Sequence, residues 1–485
     1  MITWKEEKME LWKNLEKVKL SELLFYIFLV LMCGIKGFGL YDGQLIYKIF
    51  FVAGMLCVVW KMCLDTYSLK EFIAIGILGA VAVLSTLHSG EKGVILTYAV
   101  VVGMKRMSLR KCSYICAMSY GTSMFLMVTF YGIFLNKSPF FTGEKLGLTG
   151  VVRWTLGYPH PNTLHVTYLA LCAFIIYTMG KKYSLKEAMI LMVGNIYIFL
   201  YSMSYTGGIV AAFLILGAYY VNRKEKLSAI EYIALGLIYP VSIFYALLAP
   251  YILPPGVQDF LKNNLYTIYH RLELARTHVR PVNLSLLGTR LSEVTQSEFS
   301  LDNSFLYCLV FNGVFYCIVI VIAYGMMIYK LIKEKRKIEV FITAAFLIQG
   351  VLEPFLFNTS FKNITLFFLG AVLWENRKDV SSNGKIKLFK DKEIYCVRLG
   401  QKMEKIIIRL WTINKSKILR ICMSTASIAI IIAIVVLPRP SLTLLPLWEY
   451  IRQILAYVWL VFCITIVLSC LYYSSNNNKN KAEGN

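Results

Sequence analysis

Apolar residues in this chain gather into long runs, and polar residues collect between them. Many runs approach the roughly 17 to 25 residues needed to cross the hydrocarbon core of a bilayer as a helix. The pattern yields fourteen segments, at about 20–40, 46–62, 72–87, 92–104, 114–135, 163–180, 185–202, 207–222, 229–253, 303–329, 338–356, 363–376, 418–437 and 453–473. The fourth, Gly93 to Gly103, and the twelfth, Asn363 to Trp374, are the shortest. The fold class this predicts is all-α: a polytopic integral membrane protein with about 12–14 transmembrane helices. The first run follows a charged amphipathic stretch and lacks a small-residue cleavage site, so it is expected to remain as an anchor.

Two connections exceed what joining helices requires, one from Asn136 to Asn162 and one from Pro254 to Asp302. Long loops in a compact array are usually functional or disordered. In the second, Leu261, Leu265, Ile268, Leu272, Leu274 and Ala275 recur at near-helical spacing, which predicts a helix lying on the membrane surface. Residues 377–417 are basic, and Leu399, Met403, Ile406, Ile407, Leu410 and Trp411 share one helical face opposite Arg398, Lys402, Lys405 and Arg409. That is the pattern of an interfacial amphipathic helix. The expected organisation is therefore a cytoplasmic segment at 1–19, a membrane domain at 20–376, a basic linker at 377–417, two further spans within 418–473, and a polar tail at 474–485. No strong internal repeat is visible, which weakens an inverted-repeat transporter reading.

The net charge of +23 invites a nucleic-acid reading, but its placement does not. With the N-terminus inside, inner loops hold Lys105-Arg106, Arg110-Lys111, Lys181-Lys182, Arg223-Lys224 and the run 333–337. By that topology about 37 of the basic residues are cytoplasmic, the positive-inside bias, with both termini inside. The charge is expected to set topology and attract anionic membrane lipid; no nucleic acid is expected as a partner. Twelve cysteines fall almost entirely in spans or inner loops, where they read as packing residues. No zinc spacing, P-loop or G-x-G-x-x-G occurs, so neither a metal nor a cofactor is expected.

The densest chemistry runs from Arg153 to His165. Pro159 and Pro161 fix two φ angles and hold Tyr158 and His160 extended. A guanidinium (Arg153), an imidazole (His160) and an amide (Asn162) are thereby presented at one level. All five histidines fall outside or at outer ends of spans, and histidine exchanges protons near neutral pH. His165, just inside a span, reads as structural. The outer loops also concentrate Arg153, Arg271, Arg276, Arg280 and Arg290. Guanidinium forks match phosphate oxygens, so a pyrophosphate would account for them; pairing with Glu273, Glu293, Glu298 and Asp302 is the alternative. Asp302-Asn303 reads either as a helix cap or as an acceptor-facing carboxylate. Glu353, before Pro354 and flanked by Asn358 and Asn363, is an ionisable group near membrane depth. Ser204 to Gly208 forms a tight turn whose Ser204 and Thr206 hydroxyls are in position to meet a sugar or phosphate.

Taken in order, Gly157 to Asn162 after Arg153, the Ser-x-Thr-Gly turn at 204–207, Asp302-Asn303-Ser304-Phe305 with Asn312-Gly313, and the Glu353 to Asn363 turn resemble the bacterial O-antigen polymerase (Wzy) and ligase superfamily. The resemblance covers residues 20–376. It departs where relatives often have Ser-Arg-Thr and this chain has Ser204-Tyr205-Thr206, so any role of that arginine is absent or moved. What the resemblance implies is a GT-C-like helical membrane glycosyltransferase with long outer loops. It would polymerise undecaprenyl-pyrophosphate-linked oligosaccharide repeats into capsule, exopolysaccharide or O-antigen-type polymer, alongside flippase and chain-length regulator proteins. In that mechanism Arg153, Arg276 and Arg280, then Arg271, hold the pyrophosphate. The base is sought in the order His160, His278, Asp302. Asn162, Ser204, Thr206, Asn303 and Glu353 complete the expected substrate contacts. A ligase of the same superfamily and a lipid-linked oligosaccharide flippase are the alternatives.

Overall fold

A computed structural model describes residues 15–134, 138–145, 148–279, 284–290, 301–357, 361–375 and 385–397, with scattered positions between 424 and 465. Without water to serve them, backbone amides in a long apolar run are met internally only by a helix or a closed barrel, and here they form helices. In chain order these are α1 (Leu20–Gly37), α2 (Leu45–Leu64), α3 (Leu69–Ser89), α4 (Gly93–Gly103), α5 (Leu109–Ile133), α6 (Pro161–Met179), α7 (Leu185–Ser202) and α8 (Tyr205–Arg223). There follow α9 (Ala229–Ile243), α10 (Ala249–Ile252), α11 (Pro255–Asn264), α12 (Tyr266–Val279), α13 (Ser304–Tyr307), α14 (Val314–Lys333), α15 (Lys337–Leu352) and α16 (Thr365–Glu375). Among the described residues nine helices are long and apolar enough to cross a membrane, and the chain is a helical polytopic membrane protein. Each of the first twelve expected spans contains a helix. The segments expected at 1–14, 399–411 and 474–485 lie outside the described residues, as do the spans 418–437 and 453–473 apart from scattered positions.

The fold differs from the sequence expectation at three places. First, 303–329 is not one span. A π-helical turn at Cys308–Asn312 ends at Gly313, whose φ of 96° suits glycine, and α14 starts afresh. The groups freed by the break are met by the segment 284–290: Val314 N donates to Ser285 O (3.0 Å), Phe315 N to Leu286 O (3.3 Å) and Thr289 N to Val310 O (3.0 Å). Ser85 Oγ also bonds Asn312 O at 3.0 Å. Second, the loop 254–302 holds two helices, α11 and α12, rather than one. Third, short antiparallel strand pairs accompany the helices: β1 (Leu15–Lys19), β2 (Thr66–Ser68), β3 (Phe140–Lys145), β4 (Leu148–Trp154), β5 (Lys385–Lys387) and β6 (Glu393–Val397). They pair as β1 with β6, β2 with β5 and β3 with β4.

The chain divides into two compact units. The larger comprises Ser21–Met124 and Tyr158–Asp391. At its centre α6 is the most enclosed spanning helix, packed on α7 and α8, while α15 packs on α8 and α9. Ser68 with Glu71, Ser184 with Glu187 and Ser228 with Glu231 form reciprocal capping boxes at the starts of α3, α7 and α9. The smaller comprises Met1–Leu20, Phe125–Gly157 and Lys392–Asn485. It holds the β3–β4 hairpin, with Phe140 opposite Trp154 and Phe141 opposite Arg153, and the buried Arg452 donating to Val152 O at 2.8 Å. The eight cysteines among the described side chains are free thiols, in keeping with a packing role.

Candidate functional site

The site grows from the two prolines before α6. Pro161 opens the helix at a position whose amide would have no partner, and His160 before it is extended, with φ −151° and ψ 147°, as expected. His160 caps the helix: its Nδ1 accepts from Asn162 N at 3.1 Å. That fixes the neutral ring with its proton on Nε2. The cap aims Asn162 across the bundle, where Nδ2 donates to Glu353 Oε1 at 2.8 Å.

Glu353 ends α15 and is only 3% exposed. The same Oε1 accepts from Thr206 Oγ1 at 3.3 Å, from the first turn of α8. Arg271 Nη2 on α12 stands 3.8 Å away. Arg271 also reaches the start of α13: Nη1 donates to Asp302 O at 3.1 Å, lies 3.7 Å from Asp302 Oδ2, and bonds Leu352 O. Asn303 Oδ1 caps α13, accepting from Phe305 N (2.9 Å) and Leu306 N (3.3 Å), so its capping role is observed. Ser304 Oγ ties the two turns together, donating to Glu353 O at 2.6 Å and accepting from Leu356 N at 3.0 Å. Asn162, Thr206, Arg271, Asp302, Asn303 and Glu353, scattered over nearly 200 positions of sequence, thus meet at one end of the larger unit. Its Asp302 side chain is 38% exposed while the Arg271 side chain is 13% exposed, so the carboxylate is the member with access. Among the described residues the ion pairs here set two carboxylates beside one guanidinium.

Other expected residues stand elsewhere or do other work. Arg276 is turned to a different face of α12, donating to Pro250 O (2.7 Å) and Gln258 Oε1 (3.1 Å). Arg290 donates to His88 O at 2.8 Å, closing the end of α3. Arg153 lies on β4 in the smaller unit. Arg280 and the side chain of His278 lie outside the described residues. Ser204 is buried, and its Oγ has no hydrogen-bond partner among the described residues. His165 is fully buried with Nδ1 3.1 Å from Ser202 Oγ and Nε2 2.7 Å from Asn195 Oδ1, the arrangement of a structural histidine. Gly207 is required beside it, because a Cβ there would come within 2.8 Å of the His165 Cβ.

Sequence reasoning missed two lysines at the same end. Lys36, at the end of α1, is 7% exposed, and Lys362, in the turn before α16, is 3% exposed. Lys36 Nζ stands 4.3 Å over the Tyr47 ring, Lys362 Nζ stands 5.3 Å over the Phe355 ring, and Lys362 Nζ donates to Thr163 O at 3.4 Å. Burial pushes the Lys362 ammonium well below the usual lysine range, and the neighbouring charge of Lys36 pushes the same way. The signal was available: a lysine closing the end of the first span that the expected topology places outside runs against the positive-inside bias. No protein-family model, curated protein or solved structure matches the chain.

Proposed function

We propose that this protein is a membrane glycosyltransferase that polymerises undecaprenyl-pyrophosphate-linked oligosaccharide repeats at the outer face of a bacterial cytoplasmic membrane. In this reading the bundle is GT-C-like, both termini are cytoplasmic, and the end bearing His160 and Glu353 faces outward. The observation that carries it is Glu353: a carboxylate buried at one end of an apolar bundle and bonded by Asn162 and Thr206 beside Arg271. An ionisable group at such depth is retained for use rather than for stability.

The reaction asks for three things. An acceptor hydroxyl must be oriented, its proton removed, and the diphosphate leaving group held. Glu353, saturated by its neighbours, is the anchor that fixes Arg271 and Asn162. Asp302, exposed beside Arg271, is the group suited to accept the hydroxyl proton as that oxygen attacks the donor's anomeric carbon. The bond from that carbon to the carrier diphosphate then breaks, and the carrier leaves with the electron pair. His160, with Nδ1 committed to the cap, is suited to donate from Nε2 rather than to act as base.

The test is complementation of a deletion strain whose surface polymer depends on this gene. Arg271→Ala and Asp302→Asn are each expected to lower polymer by about 100-fold or more, with single repeats accumulating on the carrier outside. Normal chain lengths in both variants would refute the assignment, and repeats trapped inside would point to a flippase.

A further inference from the structure

Among the described residues the Arg271 cluster sets two carboxylates beside one guanidinium, which suits a hydroxyl-rich acceptor better than a diphosphate. The opposite balance exists at Lys36 and Lys362. Both are buried, and among the described residues neither has a carboxylate within salt-bridge distance. The carboxylate whose field reaches Lys36 is Asp42, and Asp42 is bonded to Lys92 instead. An aromatic face under each ammonium replaces part of the lost hydration but brings no counter-charge. Buried cations ordinarily carry a partner, because an ammonium out of water is costly. A second observation points to the missing partner. Tyr47 is fully buried, its ring lies under Lys36, and its hydroxyl has no hydrogen-bond partner among the described residues. Two ammonium groups and an unused hydroxyl are what an oxyanion needs.

We propose that Lys36, Lys362 and the Tyr47 hydroxyl form an oxyanion site for a phosphate or diphosphate ester. Resting on the proposed function, its occupant is the diphosphate of the prenyl carrier. Lys362 bonds the carbonyl of Thr163, next in sequence to Asn162, so the site adjoins the acceptor cluster through the first turn of α6. The division of labour follows from charge: lysines for the leaving group, the carboxylate–arginine cluster for the attacking sugar.

The experiment uses the full chain in phosphatidylcholine nanodiscs and two probes, inorganic diphosphate and undecaprenyl diphosphate. Wild type should bind both. The double variant Lys36→Met with Lys362→Met should weaken both by at least about tenfold, the value of one charge-assisted hydrogen bond. Tyr47→Phe, which keeps the packing, should weaken them about threefold with an unchanged unfolding temperature. Lys186→Met, an exposed position at the start of α7, should leave binding of either probe within about twofold, as a residue outside the site would. Unchanged affinity in both the double variant and Tyr47→Phe overturns the site, as does a wild type that binds neither probe. Binding of the inorganic ion alone keeps the oxyanion site and overturns the carrier as its occupant. The two proposals fail separately. Polymer lost with Arg271→Ala but normal in the lysine variants sinks only this site. Lysine-dependent binding in a chain whose deletion leaves polymer intact sinks only the polymerase reading.

Discussion

Lysines are buried at both ends of the larger unit, and the two ends treat them differently. At the end formed by the last turns of α2, α4, α14 and α16, buried or half-buried cations meet carboxylates. Lys61 bonds Asp65, Lys105 bonds Glu71 at 2.6 Å, and Arg336 bonds Glu375 at 2.8 Å with Glu339 nearby. Lys105 also lies 4.1 Å over Tyr67 and 4.6 Å over Trp374, so aromatic contact there adds to an ion pair. At the other end Lys36 and Lys362 have the aromatic contact without an ion pair among the described residues. Burial alone therefore does not distinguish a structural lysine from a binding one; the inventory of counter-charges does.

The largest effect that tests this contrast is Glu71→Gln. It strands Lys105, whose side chain is 9% exposed, and should cost about 3–5 kcal/mol in a reversible micelle unfolding assay. Lys362→Met should cost little in anion-free buffer, since it removes a charge that has no counter-ion among the described residues. It should also cut the gain of about 2.7 kcal/mol that wild type shows at diphosphate 100-fold above its dissociation constant to about 1.4 kcal/mol or less, as a tenfold weaker site would. A loss matching that of Glu71→Gln would mean that Lys362 has a counter-charge of its own. Smallest is Lys92→Ala. Its pair with Asp42 is partly exposed, at 21% and 37%, so stability should change by less than about 1 kcal/mol. The freed Asp42 should then compete for Lys36 and weaken diphosphate binding; unchanged binding would remove Asp42 from the account.

The spanning helices were legible because unbroken apolar runs leave the backbone few alternatives to a helix. The break at Gly313 was not, since Asn312-Gly313 interrupts an apolar stretch too briefly to register against its flanks. The β3–β4 hairpin had a local signal in Phe140, Phe141, Val151 and Val152 and a left-handed glycine at 150, φ 74°, that reading the stretch as a connecting loop concealed. In the site, Asn162, Thr206, Asp302 and Glu353 stood out because polar groups beside spans are conspicuous. The choice among arginines was not legible. Arg271 and Arg276 lie five positions apart on one helix and so face different neighbours, which only the tertiary packing reveals. Lys36 and Lys362 escaped notice because lysine beside a span reads as a topology signal.

The strip at 284–290 supplies carbonyls that stand in for the missing turn of α14. A surface connection and a membrane helix are thereby made into one exchange unit. Deuterium should enter the amides of Val314 and Phe315 only when that strip peels away, in a single correlated opening. Arg271, upstream on the same loop, is held on a tether whose far end is stitched into the bundle.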